Sequence, residues 1–391
     1  MNSRERVLAA LSHETVDRIP IDFCGHNDSC IHEIAYQRLR EYLHLSPNTP
    51  VTANRLESVV YAAEEILRLF HSDTRAVYLP VRDLNETLET DGSHLLTWSD
   101  GSIWRKPVGE YYFYLHTTPL QGELTSEAIS AIPWPTIKDE DLTAIRDEAR
   151  RLKLETNYAV VMSGFLIMPV GGPQLWRGVE QWSIDTIAQT KLWIQMTEAY
   201  LERAFAQADK ILEAVGEFID VAYFIGDDIA TQRGSWLNPS FYRQYIKPYH
   251  QSAMDFIRAR TDAKIIFHIC GSAREFIPDL IDIGVDAINP VQTTATGMNP
   301  FELKREYSRD IAFWGGIDTQ QVLPFGTPQD VEGEVKRIVC SLGPSGLVLA
   351  SCHNIQFDVP PENIVAMFQS GGIYCRIKQD SIAKEIPHFC K

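Results

Sequence analysis

The sequence is short of positive charge. Against 52 Asp and Glu residues there are only 36 Lys and Arg, which gives a formal net charge of -16 over 391 residues. A surface of this sign repels phosphate backbones and anionic lipid headgroups. We therefore expect no nucleic-acid partner and no attachment to a membrane surface.

Long hydrophobic runs are missing as well. The longest nearly apolar stretch, 159–172, is too short to span a bilayer. The N-terminal MNSRERVLAAL places charge where a secretory signal needs an apolar core. The 7 cysteines are an odd number scattered through a long chain, which favours reduced thiols over a disulfide framework. These features predict a cytoplasmic protein.

Internal repeats and the common nucleotide-binding motifs are also absent from the sequence. No apolar run is followed by a Gly-x-Gly-x-x-Gly turn, and no Gly-rich loop ends in Lys-Ser or Lys-Thr. This counts against an open doubly wound sheet that binds a dinucleotide or a nucleoside triphosphate.

What the sequence does contain is a regular alternation of short apolar runs with helical stretches. Continuous apolar runs are typical of parallel strands buried on both faces. Eight of them separated by helices predict a (β/α)8 TIM barrel, with a doubly wound sheet as the alternative. The runs lie at 19–23, 76–80, 158–164, 221–227, 264–270, 285–291, 311–316 and 347–352.

The segment 91–122 departs from this rhythm. Its SDG at 99–101 lies between LLTW and SIWRK, and EYYFYLHTTPLQG follows. This pattern predicts a β-hairpin or meander inserted after the second strand. The aromatic side chains of the insertion either pack it onto the barrel or form a lid or partner surface.

Metal-ligating side chains occur at two of the predicted strand ends. In a barrel, active sites lie at the carboxyl ends of the strands. Strand five ends in His268, Ile269 and Cys270, where alternation points the imidazole and the thiol the same way. Strand eight ends in Cys352, followed by His353. One imidazole and two thiolates with an open fourth position are typical of catalytic zinc, although buried cysteines and a hydrogen-bonded histidine would explain the same residues.

Two adjacent carboxylates, Asp227 and Asp228, close strand four. They are candidate catalytic residues, because a carboxylate at the barrel mouth can accept a proton, bind substrate or supply a fourth metal ligand. The alternative is that each caps the turn that follows.

Five further residues are candidate substrate contacts. Asn289 and Gln292 follow strand six and either line the pocket or shape a turn. His26 ends the first strand segment and either faces the mouth or is a solvated loop residue. Met168 and Trp176 belong to the Gly-rich segment after strand three, which suits an apolar substrate or a macrocycle face, with core packing as the alternative.

Three long segments carry a family resemblance: SRERVLAALSHETVDRIPIDF, GDDIATQRGSWLNPSFYRQYIKPYH and FWGGIDTQQVLPFGTP. With them the chain resembles the uroporphyrinogen decarboxylase superfamily, specifically its cobamide-dependent methyltransferase branch, over nearly its whole length. The resemblance implies one barrel domain over 1–391. The family's zinc motif, His-x-Cys followed far downstream by Cys, falls on His268, Cys270 and Cys352.

The departures from the decarboxylase itself are informative. That enzyme has an arginine-rich N-terminal motif, whereas the stretch after Ile21 contains no arginine before Arg38. Porphyrinogen decarboxylation is therefore disfavoured. The chain also has no Asp-x-His-x-x-Gly cobalamin-binding motif, so the resemblance implies a corrinoid carried by a separate protein.

Two directions of methyl transfer fit this branch. In one, an aromatic methyl ether yields its methyl group to Co(I), as in an O-demethylase. In the other, a zinc-bound thiolate attacks methyl-Co(III). Zinc with one imidazole and two thiolates has zero net charge, which favours the thiol on chemistry alone. The insertion and the chain length favour the ether by resemblance, and we take the ether as the leading prediction.

Two rival functions and two details stay open. One rival is a metal-free decarboxylase that relies on Asp227 or Asp228, and the other is a non-catalytic protein that binds a corrinoid or an aromatic ligand. The fourth zinc ligand is Asp227, Asp228, His353, water or substrate. The superfamily resemblance suggests a homodimer.

Overall fold

The computed structural model describes residues 1–81 and 84–374. In chain order the strands are β1 (Ile31–His32), β2 (Val51–Asn54), β3 (Val59–Tyr61), β4 (Thr74–Tyr78), β5 (Asn85–Leu88), β6 (His94–Thr97), β7 (Ile103–Lys106), β8 (Tyr114–Thr117), β9 (Ala159–Ile167), β10 (Val221–Gly226), β11 (Ala230–Thr231), β12 (Gly234–Ser235), β13 (Lys264–His268), β14 (Ala287–Val291), β15 (Ala312–Ile317) and β16 (Leu347–Ser351).

The α-helices are α1 (Ser3–Leu11), α2 (Glu33–Tyr42), α3 (Glu64–Leu69), α4 (Ser126–Ala131), α5 (Asp139–Glu155), α6 (Gly171–Arg177), α7 (Val179–Ala188), α8 (Thr190–Val215), α9 (Pro239–Phe241), α10 (Lys247–Arg258), α11 (Ile277–Asp282), α12 (Pro300–Tyr307), α13 (Val322–Phe325), α14 (Pro328–Leu342) and α15 (Pro361–Tyr374). Short 3-10 turns cover Asn27–Ser29 and Ala273–Glu275, and a π-helical turn covers Tyr242–Ile246.

Seven parallel strands form one curved sheet in the order β4-β9-β10-β13-β14-β15-β16. The segment around Ile21 closes the gap between its two edges. It forms a parallel bridge with Leu349 of β16, and its carbonyl oxygen accepts a hydrogen bond from the amide of Asp73 beside β4. The predicted (β/α)8 TIM barrel is confirmed, with a first strand reduced to this short bridge.

The barrel interior explains which end carries the site. Side chains alternate between the interior and the surrounding helices, so that Tyr223 of β10 points inward while Phe224 points outward. Val7 and Leu11 of α1 belong to the interior cluster. This helix therefore plugs one end of the barrel, and the carboxyl ends of the strands stay open for function.

The insertion predicted at 91–122 coincides with a four-stranded antiparallel sheet of β5, β6, β7 and β8, which begins earlier, at Asn85. Leu96, Trp104 and Phe113 form its own small hydrophobic core. This core packs against Leu175 of α6, so that the sheet covers the loop region that follows β9.

Local sequence signals explain two of the helices near the mouth. Asn238 caps α9 because its side-chain oxygen accepts from the amide of Ser240 at 2.8 Å. Pro248 is the second residue of α10, where its missing N–H needs no helical partner, and the π-helical turn directly precedes this helix. Among the described residues, none of the helices has the length and apolar composition needed to cross a membrane.

Candidate active site

A cluster of potential metal ligands lies at the mouth of the barrel. His268 is the last residue of β13 and is buried, and its Nε2 lies 3.4 Å from Sγ of Cys270. Asp228 approaches from the end of β10, with Oδ1 3.5 Å from the same Nε2. The two side chains predicted to project together from strand five therefore do so.

Tyr223 fixes the orientation of His268. Its hydroxyl lies 2.8 Å from Nδ1 of His268, 2.7 Å from Asp28 Oδ2 and 2.9 Å from Asn289 Oδ1. A phenol has a single hydrogen to donate, which goes to Asp28 or Asn289, so its oxygen accepts from Nδ1–H of His268. With Nδ1 engaged by Tyr223, Nε2 is the ring nitrogen that faces Cys270 and Asp228, and it would bind a metal in place of its proton.

Cys270 is held by two further contacts. Its amide donates to Asp228 Oδ1 at 2.9 Å, and the side-chain amide of Gln292 donates to its sulfur at 3.4 Å. Burial raises the pKa of Cys270 to about 11, in spite of the neighbouring imidazole. Without a bound cation the thiol therefore keeps its proton at neutral pH.

His353 joins this cluster from the end of β16. Donor atoms of His268, Cys270 and His353 all lie within 4.8 Å of one another. Donor atoms of a second group, formed by Asp28, Glu57 and His353, likewise lie within 4.8 Å of one another. Burial raises the pKa of Glu57, although the nearby histidines partly offset the effect. Imidazole, thiol and carboxylate groups together form a donor set suited to a divalent transition metal.

Among the described residues, Cys352 belongs to neither of these groups of close donor atoms. Its Sγ donates to the carbonyl oxygen of Val291 at 3.0 Å, and the residue is only 3% exposed. Burial raises the pKa of the Cys352 thiol well above its usual value. The expected ligand set of His268, Cys270 and Cys352 is thus only partly assembled in the structure, and the role of Cys352 as a ligand stays a prediction.

The two adjacent carboxylates have different surroundings. Asp227 is buried, accepts hydrogen bonds from the amides of Val170 and Gly171, and lies 2.9 Å from Nε2 of His250. It thereby holds the loop that leads into α6. The side chain of Asp228 is 58% exposed at the mouth. Burial raises its pKa, but the hydrogen bond and charge of His268 outweigh this and lower the pKa below its usual range.

The predicted substrate contacts fall into three places. Asn289 and Gln292 bind to Tyr223 and Cys270 and so support the ligand cluster. His26 is fully buried inside the barrel, with its ring centroid 4.3 Å from that of Tyr223, so it does not face the open mouth. Met168 and Trp176 line a cavity, described next.

A cavity of about 500 Å³ adjoins the cluster beneath the insertion, a size in the usual range for small-molecule sites. Its walls are largely apolar and include the aromatic side chains of Tyr61, Tyr78, Trp98, Trp134, Trp176, Tyr200 and Phe224. The indole N–H groups of Trp98 and Trp134 are buried and have no hydrogen-bond partner among the described residues. The cavity therefore offers aromatic faces to a ligand.

The cavity and the ligand cluster share a boundary. Asn27 and Leu56 line the cavity, and the residues that follow each of them, Asp28 and Glu57, belong to the cluster. Asn27 and Leu56 therefore mark the part of the cavity wall that is nearest to the cluster along the chain. Sequence reasoning noted the aromatic density of the insertion but did not connect Trp98 with Met168 and Trp176, which come from a distant part of the chain.

Comparison with known proteins identifies the family to which the chain belongs. It matches the family described as uroporphyrinogen decarboxylase (URO-D) over residues 118–371. It is 26% identical over 167 residues to the uroporphyrinogen decarboxylase of Parasynechococcus marenigrum (strain WH8102), a match that covers 42% of this chain and 46% of the relative.

Two relatives come from Methanosarcina mazei. The chain is 23% identical over 187 residues to a methylated-thiol–coenzyme M methyltransferase, covering 46% of this chain and 47% of the relative. It is 27% identical over 138 residues to the methylcobamide:CoM methyltransferase MtbA, covering 34% and 37%. The matches thus span less than half the length of these curated relatives.

A solved structure described as a methyltransferase from Methanosarcina mazei shares the fold. It aligns with 96% of this chain and 99% of its own, with a TM-score of 0.62 and 17% sequence identity. Because the family match covers more than half of the sequence, the chain belongs to the uroporphyrinogen decarboxylase (URO-D) family.

Proposed function

We propose that this protein is a zinc-dependent methyltransferase of a corrinoid system. It takes the methyl group of an aromatic methyl ether and passes it to Co(I) of a corrinoid carried by a separate protein. The observation that carries the proposal is the aromatic cavity next to the donor cluster of His268 and Cys270. The cavity suits a methoxyarene, and the cluster suits the metal that would activate it.

The donor set fits zinc. Nitrogen and sulfur ligands of one tetrahedral zinc lie about 3.6 Å apart, given typical bond lengths. Nε2 of His268 and Sγ of Cys270 are 3.4 Å apart. These two residues would hold the ion together with a ligand from the end of β16. Bound zinc supplies Lewis acidity, which stabilises negative charge developing on the ether oxygen.

The chain's own residues position the substrate. The aromatic walls, among them Trp98 and Trp134, would stack on the ring. Because Asn27 and Leu56 separate the cavity from the cluster, a methoxy group at that end would point toward the metal ligands. In the net reaction the O–CH₃ bond breaks, Co(I) supplies the electron pair of the new Co–CH₃ bond, and the phenolate takes a proton from solvent.

The second candidate is a methylcobamide:thiol methyltransferase. The names of the two Methanosarcina relatives favour it, since both refer to coenzyme M methyltransferases. A thiolate is also a good ligand for zinc. The ether remains our first choice because a cavity of about 500 Å³ with aromatic walls exceeds what a small thiol would fill.

The position of Asp227 argues against a metal-free decarboxylase that relies on this residue, which leaves Asp228, exposed at the mouth, as the carboxylate for such an enzyme. The carboxylate of Asp227 is occupied by two backbone amides and by His250. It is therefore bound to protein groups on the side where a substrate would need it.

A methyl-transfer assay tests the proposal. Zinc-loaded protein is mixed with cob(I)alamin under strictly reducing conditions, and 2-methoxyphenol is added as the donor. We expect loss of the Co(I) absorbance, formation of methylcobalamin and release of catechol, all abolished by a chelator. Activity that survives the chelator would contradict the metal-dependent mechanism.

The reverse assay separates the candidates. Methylcobalamin and 2-mercaptoethanesulfonate are supplied instead, and methylation of the thiol is followed. Turnover in this assay alone would replace the ether with the thiol as the substrate. Thermal stabilisation by 2-methoxyphenol without turnover in either assay would instead indicate a binding protein.

A further inference from the structure

The wall of the aromatic cavity carries a polar patch formed by Asn27, Tyr61 and Ser163. All three residues line the cavity. Asp28, the residue after Asn27, belongs to the ligand cluster, and its Oδ2 lies 3.5 Å from Nδ1 of His268. The polar patch therefore lies at the end of the cavity that approaches the cluster.

Hydrogen bonds within the polar patch fix the direction of the Asn27 side chain. The hydroxyl of Ser163 is buried, and its oxygen accepts from the backbone amide of Asn27 at 2.9 Å and from the hydroxyl of Tyr61 at 3.2 Å. Both lone pairs of this oxygen are then used, so its hydrogen goes to an acceptor, which is Asn27 Oδ1 at 3.2 Å. The side-chain amide of Asn27 is thereby held with Oδ1 toward Ser163 and Nδ2 away from it.

Nδ2 of Asn27 is a donor that the protein does not use. Among the residues that the structure describes, it makes no hydrogen bond, and it is not one of the fully enclosed polar atoms. Because Asn27 is half-buried and lines the cavity, a bound ligand can reach this nitrogen. The rings of Tyr61 and Tyr78 stack beside it, with centroids 4.0 Å apart. The donor thus accompanies an aromatic wall.

We infer that Asn27 selects methoxyarenes with an oxygen substituent next to the reacting methoxy group, by donating a hydrogen bond from Nδ2 to that oxygen. The inference rests on the proposed function for the reaction and on the polar patch for the residue. The methoxy group must reach the ligand cluster, and Asn27 directly precedes a residue of that cluster. The ring position that meets Asn27 is therefore the one adjacent to the methoxy group.

The selection works through what an unsuitable ligand leaves unpaired. A methylene group in place of the oxygen fills the same space but excludes water from Nδ2 without replacing its hydrogen bond. Loss of one neutral hydrogen bond lowers affinity about 3- to 10-fold.

Isothermal titration calorimetry with two matched ligands tests the inference on zinc-loaded protein without corrinoid. 1,2-Dimethoxybenzene and 1-ethyl-2-methoxybenzene have the same shape, and only the first has an acceptor oxygen beside the methoxy group. The ratio of their affinities in the wild type is compared with the ratio in each variant, which cancels the difference in hydration between the two ligands.

Asn27→Asp is the informative variant. It keeps an acceptor for the Ser163 hydroxyl but replaces the Nδ2 donor with an oxygen, so the preference for 1,2-dimethoxybenzene should fall about 3- to 10-fold or more. Asn54→Asp is the matched comparison, because it adds the same charge elsewhere on the cavity wall and keeps the acceptor for the amides of Leu56 and Glu57. The affinity ratio of Asn54→Asp should match that of the wild type.

Three outcomes would contradict the inference. An unchanged ratio in Asn27→Asp, or a loss of preference in Asn54→Asp alone, would overturn the role of Asn27 and leave the proposed function intact. Binding of neither arene to the wild type would overturn both. Circular dichroism shows whether each variant folds, and Asn27→Ala, which also lacks the donor, gives the same readout if Asn27→Asp does not fold.

Discussion

The ligand cluster and the cavity beside it are built in opposite ways. The cluster consists of polar side chains at the ends of β10, β13 and β16, each held by hydrogen bonds within the barrel, such as that of Tyr223 to His268. The cavity is lined largely by apolar side chains from several parts of the chain, including Trp98 of the insertion and Met168 and Trp176 of the segment after β9.

This difference assigns a separate task to each region. Hydrogen-bonded ligands at the ends of rigid strands are suited to holding a metal in a fixed geometry. An apolar cavity with few polar groups is suited to choosing a ligand by shape. We therefore expect changes in the cluster to remove chemistry and changes in the cavity to alter substrate affinity.

The largest effect is expected for Cys270→Ala. Loss of this ligand should remove the metal and lower the rate of methyl transfer about a thousandfold, because metal activation contributes several kcal/mol. Single-turnover kinetics with cob(I)alamin and 2-methoxyphenol measure this rate. Cys340→Ala, a half-buried cysteine on α14, is the matched control. A Cys270→Ala variant with wild-type rates would exclude the cluster from the reaction.

A smaller effect is expected for Tyr223→Phe. Without the hydroxyl, Nδ1 of His268 loses its 2.8 Å contact and keeps the longer one to Asn289 Oδ1 at 3.4 Å, and zinc affinity should fall about 10- to 100-fold. Competition with a chromophoric chelator measures the affinity. Tyr242→Phe is the control, because Tyr242 makes a similar buried contact with Nδ1 of His250, away from the cluster. Equal zinc affinities in the two variants would show that Tyr223 does not orient a ligand.

Zinc affinity should also depend on pH. Burial raises the pKa of Cys270 to about 11, so zinc must displace its proton at any lower pH. Each unit of increase in pH should therefore strengthen binding about tenfold or more between about pH 6 and pH 8. The same chelator competition at several pH values measures the slope, and a flat profile would mean that Cys270 is not a ligand.

The smallest effect is expected in the cavity. Trp98→Phe keeps an aromatic ring but removes part of the cavity wall, so affinity for 2-methoxyphenol should fall about 3- to 10-fold while zinc content stays the same. Isothermal titration calorimetry measures the affinity of the wild type and of the variant for 2-methoxyphenol. Trp104→Phe, in the same sheet but outside the cavity wall, should bind like the wild type. A loss of zinc in Trp98→Phe would break the separation between the two regions.

The fold followed from the sequence because each barrel strand is a continuous apolar run, and all eight runs occupy strand positions. The first run was the weakest signal, and it forms only the bridge at Ile21. The pair of His268 and Cys270 was also predictable, since strand alternation alone places both side chains on one face.

The rest of the site depends on side-chain directions that periodicity does not supply. Cys352 and His353 are adjacent in sequence, and only the three-dimensional structure shows that the side chain of His353 lies close to His268 and Cys270. Asp227 and Asp228 are equivalent in sequence, yet the backbone amides of Val170 and Gly171 bind only the first. Asp28 was overlooked in favour of His26, which lies two residues earlier and is enclosed within the barrel.

The most direct test of the central claim is the zinc content of protein purified without added metal, measured for the wild type beside Cys270→Ala. The structure predicts about one zinc per chain in the wild type and its loss in the variant. Absence of zinc from the wild type, with none taken up when the ion is added, would contradict a metal-dependent site at His268 and Cys270.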